Sequence, residues 1–403
     1  MKISRREFLK VAGVGIAGIL GAKLGFGTDE IRIGHQVDLS GPLAIYGYWQ
    51  DKALKAAVSK VNQEGGIAGR PVRLFVEDTE TNPDVGLRKL RRLILQDEVD
   101  FVIGSQHSGV SIASLPAALE LETVYFPLGE ATKITAELKN DYIFKPNHTV
   151  MSHIQVAYRW ALQNLGKRWT IVVADYAFGL SHAKDWPSKI REMGGEVIDI
   201  ITIPLGAVDF IPYLGKIDRR RTEVLLFVFP GAGAVRFIDQ AAGLGLLKEL
   251  KFFGVICSID GIEVTEPLEG TWYVSNHPRL HEEVPDELKP FDAALREAVG
   301  VDHEGREIGG DKVVTASHYW YAWTALFLIK KAVEESGWRS KRDNPLLIEA
   351  LEGMEVKASY GFPQGDLFIR AEDHQAFHDH YIEQVKDGKL RVILRFPKEE
   401  AIY

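Results

Sequence analysis

The chain has 403 residues, and a single hydrophobic core stops growing near about 250–300, so two lobes are expected. Apolar and charged fractions of 46% and 26% fit a folded, water-soluble body and exclude a disordered polymer or a multi-span membrane protein. The formal charge of −8 argues against nucleic acid as a partner, and the single cysteine, Cys257, excludes an intramolecular disulfide and any multi-cysteine metal or iron–sulfur site.

The first 27 residues stand apart. Lys2, Arg5, Arg6 and Lys10 precede an uncharged stretch over 11–22 rich in Gly, Ala, Val and Ile, which is the layout of an export signal and too short and too weakly apolar for a spanning helix. Ser4-Arg5-Arg6-Glu7-Phe8-Leu9-Lys10 resembles the twin-arginine export motif, which implies passage of the folded chain through the twin-arginine translocase to the periplasm or another extracytoplasmic space. No cysteine follows the apolar run, so a lipoprotein anchor is not expected. Cleavage is expected between Ala22 and Gly27, the alternative being retention as an N-terminal anchor. Removing residues 1–27, with five basic residues and one acid, takes the net charge from −8 to −12.

From Ile31 onward, short apolar runs alternate with helical periodicity, as in βα units of a parallel sheet. The pattern predicts a strand over 31–37, a helix over 47–62, a turn at Gly65-Gly66-Ile67-Ala68-Gly69-Arg70, and a strand over 72–77. A helix over 83–96, a strand over 99–103, a helix over 108–119 and a strand over 123–126 complete one doubly wound unit. A second series follows Phe144: helices over 150–165, 178–193, 209–219 and 231–244 alternate with strands over 169–174, 196–203, 224–229 and 251–255. The remainder is read as a long helix over 312–336 and strands over 378–385 and 390–396.

In doubly wound sheets ligands bind at the carboxyl ends of the strands, which fixes the loops of interest. They are 38–47, 104–109, 127–132, 175–179, 229–233 and 257–261, all small and polar or aromatic. On these loops the chain resembles the branched-chain amino acid type of periplasmic solute-binding protein, the type I receptors of ABC importers. The resemblance rests on Ile31-Arg32-Ile33-Gly34 with Leu39-Ser40-Gly41-Pro42, on Asn62-Gln63-Glu64-Gly65-Gly66, on Glu77-Asp78-Thr79, on Val102-Ile103-Gly104 with Ser108, and on Asp175-Tyr176-Ala177-Phe178-Gly179. It extends to Asp373-His374-Gln375 and Gln384-Val385-Lys386-Asp387-Gly388-Lys389 near the end.

The resemblance implies an α/β fold of two doubly wound parallel-sheet lobes joined by three crossovers, closing on a small solute that is handed to a membrane permease. The crossovers are expected near 144–147, 272–278 and 356–361, giving one lobe from 28–145 with 276–355 and the other from 146–275 with 356–403. Ligand contacts carried over are Tyr46, an aromatic cover; Ser108 and Thr132, hydroxyl donors for a carboxylate; Phe178 with Tyr176, a lid; and Asp260, partner of an ammonium. Gln106 is counted with them. Glu130 departs from the pattern, because a carboxylate beside the anion subsite would repel a ligand carboxylate by several kcal/mol at low dielectric. An amino acid-like or amide-like solute, neutral or cationic at that end, is therefore expected.

Other readings are weaker. Pro230-Gly231-Ala232-Gly233 lacks the third glycine of a dinucleotide loop, and no cofactor is expected. His374, His378 and His380 are read as a surface histidine group without a metal, and Arg219-Arg220-Arg221 as a solvated face. No nucleophile elbow or paired catalytic carboxylates appear, so an enzyme is not expected. A sensor that passes the same closure to a signalling partner is the alternative; an exported oxidoreductase is disfavoured by the missing cofactor motif.

Overall fold

The computed structural model describes residues 30–403, so the expected export signal lies outside the described residues. β1 (Ile31–Val37), β2 (Val72–Asp78), β3 (Phe101–Gly104) and β4 (Val124–Phe126) form a parallel sheet in the order β2-β1-β3-β4. Helices α1 (Ala44–Gln63), α2 (Pro83–Leu95) and α3 (Ser108–Glu120) connect them. The central strands β1 and β3 are buried on both faces, which is why they read as continuous apolar runs without alternation. Asn82 caps α2 by accepting from the amides of Asp84 and Val85, with Pro83 in the first turn.

The turn after α1 sets the register of the first two strands. The Asn62 side chain donates to the Val72 carbonyl at 2.8 Å and accepts from its amide at 2.7 Å, copying a strand partner. Gly66, at φ +82°, lies where a Cβ would collide with the Arg70 carbonyl, so only glycine fits this return.

After 144–149 the chain enters a second sheet of seven strands, whose order across the sheet is 389–396, 380–386, 272–275, 251–255, 224–228, 168–175 and 196–204. Its elements are α4 (Val150–Asn164), β5 (Arg168–Asp175), α5 (Ala177–Glu192), β6 (Glu196–Pro204), α6 (Ile211–Leu214), β7 (Val224–Val228), α7 (Gly231–Gly243), α8 (Leu246–Glu249), β8 (Lys251–Val255) and β9 (Trp272–Ser275). The chain then returns to the first sheet through α9 (Lys289–Val299), α10 (Trp320–Ser336) and α11 (Asn344–Leu351), whose buried residues share a core with β1, β3 and β4. A small antiparallel sheet of β10 (Glu355–Val356), β11 (Leu367–Ile369) and β12 (Ala376–Phe377) precedes β13 (His380–Lys386) and β14 (Lys389–Phe396).

Several expectations need correction. The helix expected over 209–219 is only Ile211–Leu214, because Gly215 ends it and the Asp218 carboxylate takes the amides of Arg220 and Arg221. The long helix begins at Trp320, not 312, since the amides of Ala316 and Ser317 are spent on Asp260. β13 and β14 are antiparallel to their neighbours; the two-residue turn Asp387-Gly388, with both φ positive, can join only antiparallel strands. Val356, Tyr360 and Phe362 pack with the first core, and the larger sheet is re-entered at His380. The tail histidines are not a surface group: His378 and His380 are fully buried, and His374 stacks on Phe144 at 4.0 Å between ring centres. His378 lies in the two-residue link between β12 and β13, and His380 is the first residue of β13, whose residues 380–383 are all buried. Arg219, Arg220 and Arg221 are exposed, as a solvated face requires.

Candidate functional site

The loops following β1, β3, β4, β5, β7 and β8 converge on one cavity, as the carboxyl ends of parallel strands do. Tyr46 and Leu43 come from the start of α1, yet they pack with the core of the second sheet, so the two lobes are in contact here. Gly47 lets the start of α1 lie against the end of β1 in the first lobe: a Cβ there would collide with the Asp38 carbonyl. Tyr46 donates its hydroxyl to the Cys257 carbonyl of the other lobe at 2.7 Å, and burial raises its pKa well above the usual phenol value.

Tyr46, Gln106, Glu130, Tyr176 and Phe178 line the cavity, together with Leu43, Pro230, Cys257 and His318. Tyr176 stacks on His107 at 5.1 Å and tilts against Phe178 at 5.9 Å, giving an aromatic wall. The free space is about one water molecule, so a solute enters only as the lobes part.

Three predicted residues, Ser108, Thr132 and Asp260, are not in this lining and make contacts within the protein. Ser108 Oγ accepts from the amides of Glu130 at 3.0 Å and Ala131 at 3.2 Å, folding the 129–131 loop onto α3. Thr132 donates to Asp185 of the opposite lobe at 2.9 Å. Asp260 accepts from the amides of Ala316 at 2.9 Å and Ser317 at 3.1 Å and meets His318 Nδ1 at 2.6 Å. It clamps a second-lobe loop onto the first lobe, and its carboxylate is filled by protein donors.

His318 is the residue that sequence reasoning missed. Its Nε2 lies 3.3 Å from Glu130, so one imidazole bridges two buried carboxylates. Burial alone would lower its pKa, but the Glu130 charge and the hydrogen bonds to Asp260 and Glu130 win and raise it to about 9. Glu130 is 1% exposed, takes hydrogen bonds from Gln106 at 2.9 Å and Tyr321 at 3.1 Å, and lies 3.2 Å from His148. Burial would raise its carboxyl, and His148 and His318 instead hold it well below the usual range. With His318 protonated, the Glu130–His318–Asp260 wall retains one net negative charge. Nothing in the sequence marks His318, which lies 58 residues from Asp260. Only the closure of the lobes brings them together.

Residues 30–389 match the family described as periplasmic binding protein. Leu/Ile/Val-binding protein homolog 6 of Brucella melitensis is 23% identical over 366 residues, covering 89% of this chain and 88% of that protein. The solute-binding protein of an ABC transporter from Rhodopseudomonas palustris, solved with 3,4-dihydroxybenzoic acid, superposes with a TM-score of 0.79 at 22% identity, over 92% of this chain and 98% of that one. The leucine-binding protein LivK of Thermotoga maritima gives a TM-score of 0.76 at 16% identity, over 92% and 99%.

Proposed function

The chain belongs to the periplasmic binding protein family, and from that premise we propose that it is the extracytoplasmic receptor of an ABC importer, holding one small solute between its lobes and presenting it to a membrane permease. The export motif at Ser4–Lys10 supports delivery by the twin-arginine route. One observation carries the reading: the strand-end loops of both lobes meet at a cavity with an aromatic wall of Tyr46, Tyr176 and Phe178 and a buried polar group of Gln106, Glu130 and His318. The aromatics cover the apolar part of the solute and exclude water on closure. Gln106 and Glu130 offer polar partners to its other end. The Glu130 carboxylate in this lining disfavours a free carboxylate beside it, so the solute class is amino acid-like or amide-like with a neutral or cationic head.

A thermal-shift screen of amides, ureas, polyamines, cationic amino acids, leucine, valine and benzoates tests this. A ligand at a hundred times its Kd stabilises by about 2.7 kcal/mol, so true solutes stand out clearly. Neutral or cationic amphipathic compounds are expected to shift the melting temperature by several degrees without turnover, and Glu130→Ala is expected to improve carboxylates relative to them. Tight binding of leucine, valine or benzoate by the wild type, unchanged by Glu130→Ala, would contradict the charge argument.

A further inference from the structure

Beside Glu130, but outside the lining of the cavity, three buried histidines meet. His148 follows the first crossover, His153 is on α4 and His380 begins β13. The His148 and His153 rings stack at 3.8 Å between centres, and His380 stands edge-on to both, at 5.7 and 5.3 Å. One nitrogen of each lies within 4.8 Å of the others.

The hydrogen bonds decide what these nitrogens can do. His153 Nε2 is paired with Asn276 Oδ1 at 2.8 Å, and His380 Nδ1 with the His378 carbonyl at 2.9 Å, so both carry the proton there as donors. His148 Nδ1 is paired with the Tyr321 hydroxyl at 3.2 Å. Of the remaining nitrogens, His153 Nδ1 and His380 Nε2 are buried without a hydrogen-bond partner, and His148 Nε2 meets only the Glu130 carboxylate, 3.2 Å away. Buried nitrogens left without a partner are costly, and two of them beside a third that meets only a carboxylate need a common explanation. A second-layer partner that takes the far ring N–H while the near lone pair points at a shared space is the arrangement of metal-ligating histidines.

We infer that His148, His153 and His380 bind a divalent transition ion of the zinc, cobalt or nickel class, at the junction of the first crossover with the second lobe. Imidazole nitrogens suit these ions, whereas calcium and magnesium require oxygen cages. An ion about 2.0–2.1 Å from each nitrogen sets them about 3.3 Å apart, so binding draws the rings inward by modest side-chain rotation. Glu130 Oε2, 3.2 Å from His148 Nε2, supplies negative charge beside the ion. An ion here ties three chain segments together where the lobes hinge. The inference is independent of which solute the cleft takes.

The test uses the full-length chain without a histidine tag, stripped with a chelator and titrated with cobalt(II). Visible d–d bands of a low-coordinate site saturating at one ion per chain are expected, with calcium and magnesium failing to compete. His153→Gln combined with His380→Gln, checked for folding by circular dichroism, is expected to weaken cobalt binding about a hundredfold or more. X-ray absorption of the zinc-loaded wild type gives a reading that does not depend on the variant folding: scattering from three imidazoles supports the site. Absence of stoichiometric cobalt bands, an all-oxygen shell, or unchanged binding by the folded double variant would each overturn it.

Discussion

Replacing Asp292 with asparagine is expected to destabilise the protein by about 3–5 kcal/mol. Asp292 is fully buried on α9 and accepts from His277 Nε2 at 2.9 Å, His281 Nδ1 at 2.6 Å and Arg296 Nε at 2.6 Å. Arg296, 1% exposed, spends its other N–H groups on the carbonyls of Asp302 and Arg279. A guanidinium cannot shed its proton, so loss of the carboxylate leaves a buried cation uncompensated. The network also fixes the segment through which the chain returns from β9 to the first lobe. Burial opposes ionisation of Asp292, but the hydrogen bond from His277 and the charge of Arg296 more than offset it and hold the carboxyl well below the usual range. A depressed folded value contributes stability that is present above the unfolded pKa of about 3.9 and lost as pH falls through the folded value. Urea midpoints at pH 7 measure the loss, with an unchanged slope. A change under about 1 kcal/mol would show that the network contributes little.

The second large effect concerns the clamp between the lobes. Asp260→Ala removes two backbone acceptor contacts and the His318 hydrogen bond, all between lobes, and is expected to cost the closed form about 3 kcal/mol, a shift of about a hundredfold in the closed-to-open ratio. The radius of gyration from small-angle scattering should rise accordingly. The wild type should respond to alkali in the same direction. His318 faces Glu130, Asp260, Tyr46 and Tyr321, and its folded pKa of about 9 lies above the ordinary 6.5. A raised value means that the clamp's contribution is fully present below about pH 6.5 and is lost as pH rises through about 9. Scattering at pH 6 and pH 10 should therefore show opening at the higher value. Equal radii at both pH values, and in Asp260→Ala, would remove the clamp from the account.

The sequence showed the βα units because buried parallel strands are uninterrupted apolar runs and the Asn62–Gly66 turn has one geometric use. Tyr46, Gln106, Glu130, Tyr176 and Phe178 were legible as strand-end residues, and all five line the cavity. Ser108 and Asp260 look the same in sequence, but polarity does not reveal whether a side chain faces a solute or a nearby peptide N–H. Here the amides of Glu130 and Ala131 claim one, and those of Ala316 and Ser317 claim the other. His318, and the meeting of His380 with His148 and His153 in place of His374 and His378, were not legible for a related reason. Their partners are brought in by lobe closure and by the return of the chain at β13, which no local spacing records.

The central claim is that a solute sits between the lobes, against Tyr46, Tyr176, Phe178 and Glu130. The most direct test is a crystal structure with the strongest compound from the thermal-shift screen. The account predicts density for that compound in contact with these four residues, with the lobes hinged further apart than the nearly filled cleft seen here. Density on an outer surface, with the cleft closed and unchanged, would contradict it.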